Sequence, residues 1–376
     1  MINNTPPLSV DRSGKKAKSH NNFIAIAKAI GIIGVVIWHS RPPQWLGMFV
    51  MFFAVPLFFF TSGYFYKPSK TLAELKVFYI KRFKGLWWPF VKWSLLFLVL
   101  HNVFYYLNIY NGQYGFRGQV SELYSWTDFA KKAFNIIFRM TDNEQLLGAF
   151  WFIRALFLAA LMVATVQFIF SKWKFINRYV VFIGLLVLSL ITIHYNVSLP
   201  WIGSLGLVLF SASFYVWGYC YRKFESEKCY SKTALFLSTF ITFFGLVYFD
   251  HVVGVLGIKD RYILPYTVVA ISGIFMVLNI SKLIENYKIK RFFYYAGNNT
   301  MIILALHFIC LKLVSLAKIA AYGWPLERLA EFPAIEENNQ YWWLLYTISG
   351  VGIPLLLQFG YDNIKIKLVN RKSKND

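Results

Sequence analysis

The chain has 376 residues, of which 57% are hydrophobic and only 15% charged, and its mean hydropathy is +0.49. A soluble domain carries about 25% charged and roughly 45–50% apolar residues, so a water-soluble body of this size and a disordered chain are both excluded. The formal charge of +22 would suit nucleic acid if it were clustered, but it is spread between apolar runs, which argues against DNA or RNA and for membrane topology.

Residues 1–22 form a polar, basic N-terminal tail with no cleavable leader visible before the first apolar run. Runs long enough to cross a hydrocarbon core of about 30 Å follow at 23–40, 45–66, 85–107, 148–170, 179–195, 199–221, 233–249, 262–280, 300–319 and 341–361. The expected fold class is all-α: a polytopic integral membrane protein of about ten transmembrane helices, with one membrane domain over 23–361 and a basic tail over 362–376. Lys and Arg divide 26 to 9 between alternate connections, which by the positive-inside rule places both termini in the cytoplasm.

Two connections have their own character. Segment 67–84, KPSKTLAELKVFYIKRFK, interleaves apolar and basic residues at helical spacing and predicts an amphipathic helix on the cytoplasmic leaflet. It would orient the protein or help bind an anionic donor. Segment 108–147 is a long outer loop, and a second outer loop over 320–340 carries Glu327, Glu331, Glu336 and Glu337. Cys220, Cys229 and Cys310 have no paired spacing and match no zinc pattern, so they are read as free thiols with no metal site.

Four basic residues fall well inside spans, Lys28, Lys92, Arg154 and Lys312, with Lys318 at the very end of the ninth and counted with the connection after it. A cation at mid-span costs about 2.5–3.5 kcal/mol on insertion scales, and no carboxylate lies securely inside a span to neutralise one. Snorkelling accounts for Lys92 and Lys312. Otherwise intramembrane cations suit an anionic ligand, such as the phosphates of a nucleotide-bearing cofactor.

The first span, FIAIAKAIGIIGVVIWHS, holds Lys28 and His39 eleven positions apart. At about 100° per residue they share a face within roughly 20°, separated by about 16 Å along the axis. Gly31, Ile32 and Val35 lie between them, slender enough to let a thin chain pass. Imidazole, with an ordinary pKa near 6.5, is the natural base for a sugar hydroxyl attacking a thioester. Among the other histidines, His307 is the strong second candidate; His101, His194 and His251 sit near outer span ends.

These residues resemble the membrane-bound acyltransferase-3 family, in particular its fucose-4-O-acetylase-like branch from bacterial surface-polysaccharide pathways. The resemblance rests on Lys28-x10-His39, FFFTSGYFY over 58–66, KRFKGLWWPF ending at Phe90, WFIRALF over 151–157 and AGNNTMIILALH over 296–307. It implies transfer of an acyl group, most often acetyl, from acetyl-CoA to a carbohydrate or lipid-linked sugar in a bacterial inner membrane. His39 would be catalytic, with Arg154 as an oxyanion or donor contact. Lys28, Arg82 and Lys84 would hold the donor, and Trp151, Ser62, Tyr64 and His307 would meet substrate. Lys28 replaces the commoner Arg, which loses a bidentate fork. No Glu-Glu pair occurs at the fourth span, and Asp142 or Glu144 are the candidates to orient His39. A glycan or glycolipid transporter is the alternative; the missing membrane carboxylate and the lack of two similar halves weigh against it.

Overall fold

The computed structural model describes residues 20–116, 119–170 and 178–372. Most of the expected tail over 1–22, the connection over 171–177 and the last four residues lie outside the described residues. Among the described residues helix dominates, as it must where lipid offers no partners to backbone groups. α1 (His20–His39) ends where Arg41 takes a φ of 58° and Pro42 and Pro43 forbid another turn. α2 (Gln44–Tyr64) follows at once. α3 (Leu72–Arg82), capped by the Thr71 side chain, passes through a π-turn at Phe83–Trp87 into α4 (Trp88–Tyr106). The amphipathic segment and the third span are therefore one continuous helix, and the π-turn falls just before Pro89, which has no N–H to give the preceding turn.

The long connection over 108–147 is not a plain loop. It contains the antiparallel pair β1 (Gly115–Phe116) and β2 (Gln119–Val120), then α5 (Trp126–Phe134), whose N-terminus is closed by a Ser125–Asp128 capping box. A 3₁₀ turn at Gln145–Phe150 leads into α6 (Trp151–Ile169). α7 (Arg178–His194) and α8 (Leu205–Phe224) are joined by the hairpin of β3 (Ser198–Leu199) and β4 (Gly203–Ser204). α9 (Lys232–Tyr248), α10 (Ile263–Ile284), the short α11 (Lys290–Asn298), α12 (Thr300–Tyr322) and α13 (Trp342–Lys372) complete the chain.

Among the described residues, seven helical segments are long and apolar enough to cross a membrane. They comprise α1, α2, α3–α4, α6 with its 3₁₀ turn, α10 with its own, α12 and α13. α7 and α9 are shorter apolar helices, and α8 ends in the basic pair Arg222 and Lys223. Each of these ten lies on one of the ten expected runs. The last overshoots: α13 continues to Lys372, past the expected end at 361, since no Gly or Pro follows to stop it. α9 turns Phe236, Phe240, Phe243 and Val247 outward, the expected dress of a lipid-facing helix.

α1 sits at the centre, packed against α2, α10, α11, α12 and α13. Small residues permit that. A Cβ on Gly297 would lie 1.8 Å from the Ala25 carbonyl oxygen, so α11 presses on the α1 backbone. Gly63 and Gly218 do the same between α2 and α8. Gly31 belongs to this set: a Cβ there would meet Leu57 at 3.0 Å. Gly31, on the face between Lys28 and His39, thus serves the close packing of α1 on α2.

Candidate active site

His39 is the last residue of α1 and is half-buried; His307, two turns into α12, is fully buried. Their ring centroids are 5.4 Å apart. Phe308 lies against both, at 3.9 Å from His307 and 4.6 Å from His39. Phe332, from the connection between α12 and α13, stacks on Phe308 at 4.7 Å. Gly148 and Gly350 let the 3₁₀ turn and α13 close in, the second with its Cβ position 3.6 Å from the His307 Cβ. His307 Nδ1 donates to the carbonyls of Leu304 (2.9 Å) and Ile303 (3.2 Å), while its Nε2 is buried without a hydrogen-bond partner.

The α12–α13 connection is tied down over this pair. Lys312 Nζ donates to the carbonyls of Leu329 (2.9 Å) and Glu331 (2.6 Å), and Lys318 Nζ donates to that of Ile335 (3.1 Å). Asn339 reaches back to the carbonyls of Ser40 and Arg41, and Arg41 donates to that of Phe332. Lys312 is 3% exposed, so it does not snorkel; Lys92 is exposed and does fit that reading. The acids of this connection are also engaged: Arg328 holds Glu331 and Glu337, and Arg41 faces Glu336. Hydrogen bonds to Glu331 and Glu337 push the Arg328 guanidinium above its ordinary pKa despite partial desolvation.

Neither expected acid orients His39. Glu144 pairs with His101 at 2.7 Å, and Asp142 accepts from the Asn135 amide. His101 also bonds through Nε2 to the Glu122 carbonyl and stacks on Tyr124 at 3.4 Å. The chain returns over 43 residues to close this pair, which local patterning does not reveal.

Arg154 is also elsewhere. Phe152 faces α2 through Phe58 and Phe59, and two residues on, about 200° around the helix, Arg154 turns away from it. It donates to the carbonyls of Arg139 and Trp201 in a cleft of about 440 Å³ lined also by Asn135, Asp142 and Gly203. Trp151 opens α6 and is half-buried.

The remaining residues gather at the other end of the bundle. Ser62 and Tyr64 lie about 27 Å along α2 from its start beside His39. Tyr64 is buried and donates to Glu225, with Arg222 over its ring, so it offers no face to a sugar. Ser62 is half-buried. Arg82 donates to Tyr215 at 3.4 Å and covers Phe78, whereas Lys84 is exposed in the π-turn. Lys282 sits 4.0 Å over Phe23, and Tyr230 completes this basic aromatic end. Lys28, between the two ends on α1, is half-buried and has no hydrogen bond or ion pair to a described residue.

Sequence reasoning reached His39 and His307 singly but not their contact, and it missed Phe308, Phe332, Asn339 and the lysine clamps. The family model for the acyltransferase domain of the acyltransferase-3 type matches residues 21–359, nearly the whole chain. No curated protein and no solved structure matches it.

Proposed function

The chain belongs to the acyltransferase-3 family, and from that premise we propose that it is an O-acyltransferase moving an acetyl group from acetyl-CoA to a hydroxyl of a cell-surface glycan or lipid-linked sugar. In this reading it works in a bacterial cytoplasmic membrane, like the fucose-4-O-acetylase branch. The observation that carries the reading is the pairing of a half-buried and a buried imidazole at the end of the central helix. His39 takes the proton of the acceptor hydroxyl as its oxygen attacks the thioester carbonyl. The C–O bond forms, the C–S bond breaks, and the proton passes from His39 to the departing thiolate. No proton or electron is left over.

The donor is assigned to the opposite end. Lys28, Arg82 and Lys84 supply charge there for its phosphates, and the exposure of Lys84 and the unpaired state of Lys28 among the described residues leave them available. Ser62 and Tyr64, at that same end, are reassigned from the acceptor to the walls of the donor side. Trp151 keeps its acceptor role as the half-buried ring at the start of α6. Arg154 is left out of the chemical step, because two carbonyls already hold its guanidinium.

Purified protein in sealed proteoliposomes, incubated with acetyl-labelled acetyl-CoA and a panel of bacterial surface glycans and lipid-linked sugars, tests this. Ester-linked label on a glycan is the expected result. Movement of unmodified glycan across a vesicle wall with no label transferred would overturn it.

A further inference from the structure

The geometry of His307 fixes more than its position. Both groups within reach of Nδ1 are main-chain carbonyls of its own helix, and a carbonyl only accepts. Nδ1 therefore carries the proton, and in the neutral ring Nε2 is a bare lone pair. That lone pair is buried and unpartnered. An acceptor left unmade inside a core costs about 1–3 kcal/mol, so it calls for a donor. The groups around it narrow the choice. Phe308, whose ring lies 3.9 Å from that of His307, offers none. His39, with its ring centroid at 5.4 Å and tilted by 38°, is the neighbouring side chain with an N–H to give. With His307 held by its own helix, a turn of the His39 ring or one bridging oxygen would bring that N–H to the lone pair.

We propose that His307 is the positioning residue of this site: its fixed Nε2 acceptor receives the N–H of His39 and thereby turns the other His39 nitrogen, unprotonated, toward the acceptor hydroxyl. This rests on the reading of His39 as the base and supplies what Asp142 and Glu144 do not. When His39 takes up the hydroxyl proton, the resulting imidazolium keeps its second N–H on His307 Nε2. The proton leaves again by the nitrogen through which it came, to the thiolate. His307 stays neutral throughout and never meets substrate, consistent with its complete burial. The partner is thus a neutral lone pair in place of the carboxylate that orients histidine in a serine-type triad.

The test uses full-length protein labelled with ¹⁵N-histidine in nanodiscs. Long-range ¹H–¹⁵N imidazole correlations report the tautomer of each ring, and His307→Gln identifies the His307 signals. The expected result is His307 protonated at Nδ1 and bare at Nε2, with the His39 ring signals shifting in His307→Phe. A His307 ring protonated at Nε2, or His39 signals unmoved by His307→Phe, would overturn the proposal. Kinetics add a second readout. His307→Gln, which keeps an acceptor oxygen near the Nε2 position, should stay within about tenfold of wild-type kcat, whereas His307→Phe should lose about 100-fold with an unchanged donor KM. Equal kcat values in the two variants would count against it. If wild-type protein transfers no acyl group at all, the proposed function falls, while the spectra still decide the tautomer and its coupling to His39.

Discussion

His101 and His307 are both buried imidazoles, and their surroundings differ in kind. His101 has a partner on each nitrogen, Glu144 on one and the Glu122 carbonyl on the other, and Tyr124 lies flat on its face. His307 spends one nitrogen on its own helix and leaves the other empty beside His39. Both His101 nitrogens are thus engaged, although the second Glu144 oxygen is buried without a partner; a ring held on both sides is fixed in place, whereas His307 keeps a free nitrogen. The first pair pins the long connection over 108–147 to α4. The second, in the proposed function, is the place where a proton moves.

If that contrast is sound, breaking the first pair should damage stability and breaking the second should damage turnover. The largest expected effect on stability comes from His101→Ala, which strands Glu144 at 2% exposure. Removing one partner of a buried pair costs about 3–5 kcal/mol, so the detergent melting midpoint should drop sharply. The double replacement His101→Leu with Glu144→Leu should recover much of the loss; a double variant no better than the single one would contradict the desolvation argument. Next comes Lys312→Met, which removes the donor to the Leu329 and Glu331 carbonyls. About 1–3 kcal/mol should be lost, and hydrogen exchange over residues 326–335 should speed up. Lys28→Ala should leave melting unchanged and raise the donor KM several-fold, on the order of 1 kcal/mol for one charge contact, with kcat held. A pure kcat loss would move Lys28 out of the donor site.

The smallest effect is a pH effect. The Ser125 hydrogen bonds hold the Asp128 carboxyl below its ordinary value of 3.8. A depressed carboxylate contributes stability above its unfolded pKa and loses it as pH falls through the folded value. Fraying of α5, seen by amide exchange, should therefore appear only below about pH 4, and Asp128→Asn should remove that dependence. Unchanged acid fraying in Asp128→Asn would put its origin elsewhere.

The spans were legible because a run of apolar residues admits only helix in lipid, and the alternating Lys and Arg set their order. Their ends were less so. The α3–α4 junction hides a π-turn, and α13 runs on into basic residues that form helix as readily as apolar ones. Lys28 and His39 could be set on one helix from their spacing, since α1 carries both. His39 with His307, and His101 with Glu144, are contacts across 268 and 43 residues that no local period encodes. The lysine clamps were invisible for another reason. Lys312 and Lys318 bond to main-chain carbonyls, so no partner residue type exists in the sequence to announce them.

The most direct test of the central claim compares His39→Ala with His101→Ala in labelled-acetyl transfer, each normalised to folded protein. His39→Ala should stay folded and lose transfer by about 10²–10⁴-fold. It should melt less far below wild type than His101→Ala, because it strands a neutral acceptor (about 1–3 kcal/mol) rather than a carboxylate. His101→Ala should melt earliest and keep most of its turnover per folded molecule. Near-normal transfer by His39→Ala, with the deficit falling on His101→Ala, would contradict it.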